Sequence, residues 1–557
     1  MDDFFYLHDS HEGSEPNTDK LKMYEELILT NRPKLIAVDT ETISLQDKTA
    51  IGIGISVDED HSFYFPIDNG RVNGYIPWFL LQDPSVKKIF HNATFDLDVL
   101  DMVAFDCGAG DIDASNLCDT AVMARMALEP DVSLPLIAWK TNKETTGMSD
   151  IMKHYHVTTA DKIPVREVAL HCMQDTQLTF ALYNKFYPDC DRTNCDIEWK
   201  IIELLFKISK RGIAIDQELR AKYEMIYTKE VEYLKGLCES YGFSPGSPQQ
   251  VAYIMAKRGV MLPYNKKKWG SNAKTSLDTS EAALEFCSDP FAQIVLKYRH
   301  VSKALNTYLI PMGRNPRVYT QFHLDVATGR VASRDVNLQN IPNPDKERNI
   351  NIRNCFIPDS GTFTDFDYSQ IELRVLANLS HDKEMMRVYD NDLDIHQDTA
   401  DFMGVDRKIC KSVNFGMVYG ATAQTLMETA KIPDLKRCEQ LIDTWFKRYS
   451  GVRDWIYEQQ KFGLYKGYIV TLFGRKIRMP IEEGDEESIK RKAVNYTIQG
   501  TAAEIMKRAM IKCTHLPIVL QVHDELLFDG KVDLELGLEN IAAFKTPISI
   551  KEVSKWE

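Results

Sequence analysis

Arg407, Lys411, Phe415 and Tyr419 recur at four-residue intervals in the run from Arg407 to Gly420. On an α-helix that spacing sets them along one slowly rotating stripe. The segment is therefore expected to be a helix with two cations at one end of the stripe and two aromatic rings at the other. Cations can hold a triphosphate and an aromatic face can stack on a base, so one helix could grip a nucleotide at both of its ends. Taken alone, the four residues fit an ordinary amphipathic helix with an exposed basic end better. Acids elsewhere in the chain reverse that preference.

Carboxylates close strands in two places. Asp39-Thr40-Glu41 ends a hydrophobic strand, and acids two apart on extended chain face the same side. Asp96 follows His91-Asn92 at the opening of a helix, and Asp175 lies in the helical run from His171. Four converging acids would suit two Mg²⁺ ions, which can activate a water and stabilise the leaving oxygen of a phosphodiester. Each acid singly reads as a cap or a surface group; the ordered set does not. Further on, Asp367 ends the strand 361–367, and Asp524 sits at the His523-Asp524 turn of an apolar hairpin over 517–528. Two such acids can share metals if their strands are neighbours: one ion would activate a 3′-hydroxyl, the other neutralise a triphosphate and departing pyrophosphate. Arg407 and Lys411 would then stabilise developing phosphate charge. The alternative is that Asp367 merely caps the next helix.

With 557 residues the chain should form several domains. Leu35–Val38, Ile51–Val57 and Phe63–Phe65 read as buried strands, and helical patterns dominate from about 95 to 185, so the first third looks α/β. Residues 1–30 read as a loose lead-in. Cys190-Asp-Arg-Thr-Asn-Cys195 is a polar break before an amphipathic helix, Ile197–Phe206, that opens a second unit. The stretch 216–312 is mainly helical, interrupted at Ser244–Pro248 and at a lysine-rich loop near 266. Beyond 315, strands such as Arg317–Phe322 and Gly361–Asp367 alternate with long helices. No apolar run is long enough to span a bilayer. The acidic start, Met1–Ser10, argues against a signal peptide or import presequence. Eleven scattered cysteines without a Cys-x-x-Cys pair suggest reduced thiols in a cytosolic compartment. A net charge of −14 does not exclude a nucleic-acid partner, because a basic channel can be local. Lys266–Lys268 and the cations around 330, 353, 407–411 and 489–492 could line such a groove, with Glu482–Glu487 as solvated surface.

The set Asp39, Glu41, Asp96 and Asp175 resembles the DEDD family of 3′→5′ exonucleases in the form carried by proofreading DNA polymerases. The resemblance implies that all four bind metal. The family's third motif there is Tyr-x-x-x-Asp, whereas this chain has His171 in the first position; the imidazole could orient or deprotonate the attacking water, or slow the reaction. The later segments resemble family A DNA polymerases, the bacterial polymerase I class. Thr328–Ser333, Asn337–Pro342, Asp367–Arg374, Asp394–His396, the 407–420 helix, Gln499–Ala503 and Gln521–Glu525 occur in that family's order. The two resemblances cover about 33 to 530.

What the family implies can be placed residue by residue. Asp367 and Asp524 look like metal ligands, with the Tyr368 carbonyl assisting and Glu525 beside them. Arg407, Lys411 and His396 look like a triphosphate clamp, Lys411 being a candidate proton donor to pyrophosphate. Phe415, Tyr419 and Gln370 would border the nucleotide, and Glu372 matches the steric gate that crowds a ribose 2′-hydroxyl. Arg491, Asn495 and Gln499 would reach the minor-groove side of a primer–template, with Arg330 and His523 near the primer terminus. Ser276–Ser280 resembles, more weakly, the thumb segment that approaches duplex DNA.

The implied architecture is an α/β exonuclease domain, ribonuclease H-like, over residues 1–190, followed by a right-hand α+β polymerase domain over 191–557. The thumb would span about 197–315, a palm with an antiparallel sheet about 316–400 and 465–557, and the fingers about 401–464. The implied activity is DNA-directed DNA synthesis with proofreading, using two Mg²⁺ per site with Mn²⁺ able to substitute. Implied partners are primer–template DNA, deoxynucleoside triphosphates and a single-stranded primer end, with accessory replication proteins an open addition. A cytoplasmic monomer without a 5′-nuclease domain is expected, compact as in phage-type polymerases. Two other classes compete: a single-subunit RNA polymerase, against which Glu372 and the exonuclease acids argue, and a DNA-binding protein with dead sites, against which the full set of carboxylates argues.

Overall fold

The computed structural model describes residues 18–67, 72, 74–263, 277–285, 287–432, 434–481 and 485–556. The Lys266–Lys268 loop, Ser276, residues 482–484 of the acidic run and the Met1–Ser10 start lie outside these.

The first unit is built on five strands: β1 (Leu35–Thr42), β2 (Ala50–Ser56), β3 (Ser62–Pro66), β4 (Lys87–Phe90) and β5 (Leu117–Asp119). Their order is β3-β2-β1-β4-β5. The β1–β2 and β2–β3 pairs are antiparallel, and β1–β4 and β4–β5 are parallel. β1 lies at the centre, so Ile36, Ala37 and Val38 are buried and the strand reads as an apolar run. β5 interrupts the stretch expected to be helical; at three residues it is too short to display a period. Helices α1 (Ala93–Cys107) and α2 (Val165–Phe186) flank the sheet, α2 lying across β1, β2 and β3. Gly54 permits that approach: a Cβ there would stand 2.6 Å from Cys172 Sγ and 3.3 Å from the Cys172 carbonyl oxygen.

The amphipathic segment at 197–206 is the middle of α3 (Arg192–Arg211), whose N-cap Asp191 accepts the Asn194 N–H at 3.2 Å. α3 packs on α1 on one side and on a helix of the second unit on the other. One hydrophobic core runs through both. Helices α4 (Gln217–Ser240) and α5 (Pro290–Lys303) pack together with a satellite apolar cluster around Cys238, Val251 and Phe291.

The second sheet holds β6 (Phe363–Tyr368), β7 (Ile518–Val522), β8 (Glu525–Asp529) and β9 (Ile548–Val553) in the order β7-β8-β6-β9, antiparallel throughout. His523 and Asp524 form the two-residue turn between β7 and β8, with His523 at a φ of 52°. β9 lay unread in the sequence although Ile548 and Ile550 alternate with polar residues. The strand expected over Arg317–Phe322 is instead two short pieces, Arg317–Val318 pairing with Ile213–Ala214 and Gln321–His323 with Ala332–Arg334. A helical layer follows in which α6 (Ile371–Ser380) packs on α8 (Arg407–Val418), α9 (Ser450–Lys466) and α10 (Glu486–Lys512), α7 (Ile395–Met403) packs on α8, and α9 lies along α10.

The close α2–β2 contact yields a stability test. Gly54→Val should lower the free energy of unfolding in urea by about 1–3 kcal/mol, because α2 has to move off the sheet. Gly236→Ala, on an exposed turn of α4 with open space around it, should raise it by roughly 0.5–1 kcal/mol. A Gly54→Val protein as stable as the parent would contradict the packing described.

Candidate active sites

β1 presents Asp39 and Glu41 together at one side of the first sheet. Between them Thr40 donates its backbone N–H, at 3.0 Å, and its hydroxyl, at 2.7 Å, to one oxygen of Asp96. Asp96 falls in the first turn of α1, which starts after Asn92 in the left-handed region; the Ala93 N–H is tied to Asp119 at 2.8 Å. From α2, Asp175 accepts the Thr145 hydroxyl. His171 Nδ1 lies 2.9 Å from Glu41 and 3.7 Å from Asp175. Cys172 Sγ stands 3.4 Å from Asp39 Oδ2, so its thiol can donate there.

Crowding sets the electrostatics. Burial, then the charges of Asp96, Glu41 and Asp175, hold Asp39 well above the usual carboxylate range. Burial lifts Asp96 to about 8 against the two Thr40 hydrogen bonds, and lifts Asp175 to about 6 against the pull of His171. Burial disfavours a charged His171, but the Glu41 hydrogen bond and the Asp175 charge prevail and raise it to about 9. Asp39, half-buried, and Glu41 bring oxygens within 4.8 Å of each other beside Cys172. Asp96 and Asp175, held by Thr40 and Thr145, stand around them and add to the repulsion. Such crowded oxygen donors fit hard divalent cations. Burial keeps the Cys172 thiol protonated, a neutral donor rather than a competing thiolate.

The second constellation lines an open cleft of about 360 Å³. Asp367 stands near the end of β6 opposite Glu525 in register, and the Tyr368 N–H donates to the Asp524 carbonyl at 3.0 Å. Asp367 keeps an exposed edge and Asp524 is half-buried, yet desolvation by the surrounding protein raises each to about 6; Asp365 adds to the first and Asp367 to the second. Glu525 is set apart from the cleft lining. It accepts the Trp556 indole N–H at 2.6 Å, lies 3.8 Å from Arg353, and is raised to about 7 by burial and by Asp365.

α8 forms the facing wall, and Arg407, Lys411, Phe415 and Tyr419 all line it. The helix is capped at its start by Asp406, which accepts the Lys408 N–H at 2.7 Å, and Tyr419 is the residue just past its end. Arg407 is steered by Asp394 at 2.9 Å, the acid that also caps α7. Asn414, on the buried side of α8, receives the Trp445 indole N–H at 2.7 Å and bonds His396 Nδ1 at 2.9 Å. Burial, with Arg407 and Lys411 nearby, pushes His396 down to about 4, so it faces the cleft as a neutral hydrogen-bonding ring and not as a third cation.

Glu372, buried at the start of α6, is fixed from two sides by the Tyr419 hydroxyl at 2.7 Å and by Arg330. Gln370 holds a left-handed backbone beside it and accepts from the Tyr389 hydroxyl at 3.4 Å. Of the five residues expected on DNA, Arg330 and His523 line the cleft; Arg491, Asn495 and Gln499 stand on α10 outside its lining. Arg491 packs over Gly420, and Asn495 Oδ1 is buried without a hydrogen bond among the described residues. Sequence reasoning missed Thr40, Asn414, Asp394 as the Arg407 anchor and Trp556. Only Asn414 carried a local signal: a polar residue between the buried Val413 and Met417 of α8.

Residues 214–542 match DNA polymerase family A, and residues 17–191 match a 3′-5′ exonuclease family. The chain is 29% identical to DNA polymerase I of Pseudomonas aeruginosa, over 90% of this chain and 60% of that protein. It is 31% identical to DNA polymerase I of Chloroflexus aurantiacus, over 91% of this chain and 58% of that protein. It thus spans about three fifths of the length of these relatives. Its fold is like that of the POL domain of Pol1 from M. smegmatis, in complex with DNA primer-template and dNTP, with a TM-score of 0.74 at 24% identity, covering 96% of this chain and 97% of that one. A match over more than half its length, on the segments that build the cleft, makes this chain a member of DNA polymerase family A, with a 3′-5′ exonuclease domain ahead of the polymerase domain.

Proposed function

We propose that this chain is a template-directed DNA polymerase that adds deoxynucleotides to a primer 3′ end and removes misplaced ones with a 3′→5′ exonuclease. The observation that carries the reading is one cleft in which two strand-end acids, Asp367 and Asp524, face the cation–aromatic stripe of α8. Asp367, Asp524 and the Tyr368 carbonyl would hold two Mg²⁺, which when bound stabilise charge on the reacting phosphate and lower the pKa of a bound hydroxyl. Arg407 and Lys411 take the triphosphate, and Lys411 is the proton donor to pyrophosphate. His396, kept neutral, adds a hydrogen bond beside them. Phe415 and Tyr419 cover the base and sugar. Glu372 excludes a 2′-hydroxyl, and its two hydrogen bonds stop it swinging aside. Arg330, His523, Arg491, Asn495 and Gln499 follow the primer–template.

In the exonuclease, Asp39, Glu41, Asp96 and Asp175 would hold the metals, and His171 takes the water-positioning place. On the same reading the exonuclease domain is assigned to 1–190, and thumb, palm and fingers to 191–557. A monomer working in the cytoplasm of a bacterial or phage-infected cell is the corresponding setting; among the described residues no helix is long and apolar enough to cross a membrane.

The two sites separate by mutation. Asp367→Ala should abolish primer extension and leave shortening intact, while Asp39→Ala should do the reverse; loss of both activities in either variant would contradict two independent sites. Glu372→Ala should raise ribonucleotide use relative to deoxynucleotide use in single-nucleotide incorporation, and an unchanged ratio would remove Glu372 from the gate. Asn414→Ala frees the His396 ring and should weaken nucleotide binding by about tenfold, the equivalent of one lost buried hydrogen bond. An unchanged nucleotide KM would show that His396 needs no such support.

A further inference from the structure

Glu198, on α3, is 3% exposed and lies outside both sites. It accepts Lys507 Nζ on its two oxygens at 2.6 and 2.7 Å, and the Arg475 guanidinium at 2.6 Å. Arg475 and Lys507 are 7% and 1% exposed. Such a buried ion triad is a poor source of stability, because desolvation offsets most of the attraction. It does provide position. The Arg475 guanidinium lies flat against Gly329, where an added Cβ would stand 2.7 Å from Arg475 Cζ and 2.8 Å from both terminal nitrogens. Gly329, at a φ of 76°, is followed directly by Arg330, which grips Glu372. Lys507, two turns along α10 from Gln499, lines a small cavity with Arg330, His523 and Asp524. Burial draws Lys507 down to about 8, and the two cations hold Glu198 below the usual carboxylate range despite its burial.

We propose that Glu198 is a positioning residue for the polymerase cleft: it holds Arg475 against Gly329 and so fixes Arg330 at the primer end, beside Glu372. The inference rests on the polymerase reading above. It also gives α3, which packs on the exonuclease helix α1, a direct line of contact to the primer end of the other site.

The test is single-nucleotide incorporation on a matched primer–template with Mg²⁺, alongside shortening of single-stranded DNA. Glu198→Gln should lower kcat for incorporation about tenfold while the nucleotide KM and the shortening rate stay within about twofold. Gly329→Ala, which displaces Arg475 from the other side, should give a similar fall. Because both act through one guanidinium, the double variant should be no slower than the slower single one. Effects that multiply in the double variant, or an unchanged kcat in folded Glu198→Gln, would overturn the proposal. Should Glu198→Gln fail to fold, Glu198→Asp, which keeps the charge but shortens the reach, takes its place; full kcat there and in Gly329→Ala would equally overturn it. Lack of extension by the unaltered chain would instead count against the polymerase reading itself.

Discussion

Repulsion between carboxylates crowded at inner strands is the constraint around which both sites are arranged. Each sheet places an acid-bearing strand in an inner position, β1 in the first and β6 in the second, and brings further acids to it from neighbouring elements. In water such groups would separate; here packed helices and paired strands hold them. Asp39 and Asp96 are driven far from their ordinary ionisation, Asp367 and Asp524 more mildly. A divalent cation would relieve that repulsion in either place, and the scaffold holds the acids in position beforehand. The two sites differ in their resident charge. The first contains the His171 imidazole, raised to about 9 and bonded to Glu41, where the resembling exonucleases carry tyrosine. The second has its cations across the cleft on α8.

That facing wall is held by a relay of ordinary contacts. Trp445 holds Asn414, Asn414 holds His396, and Asp394 caps α7 while steering Arg407. Lys411 remains exposed on the cleft side of the helix. Across from it, Glu372 receives Tyr419 from α8 and Arg330 from the segment before β6. The same carboxylate therefore touches both walls, so a shift of α8 is felt at Glu372 and at Arg330 together.

Much of this was legible because periodicity is local. The two-residue spacing of Asp39 and Glu41 fixes their common side, the four-residue stripe fixes the cleft face of α8, and the His523-Asp524 turn sits where two apolar runs meet. β5 and β9 were not legible, since three residues give no period and an edge strand depends on a partner far away in sequence. The cluster of Glu198, Arg475 and Lys507 was invisible for the same reason in stronger form: Arg475 and Lys507 lie 277 and 309 residues from Glu198, and each is by itself an unremarkable charge. Asn414 marks the boundary, a polar residue on an apolar helix face whose partner only the fold reveals.

The most direct test of the account is one gel: an end-labelled primer on a longer template with Mg²⁺, run with and without the four deoxynucleoside triphosphates. Lengthening with nucleotides and shortening without them is the expected result, since each carboxylate set would then be working with metal on the same strand. A primer unchanged in both lanes would contradict the account. It would mean that the acids gathered on β1 and β6 no longer serve phosphoryl chemistry.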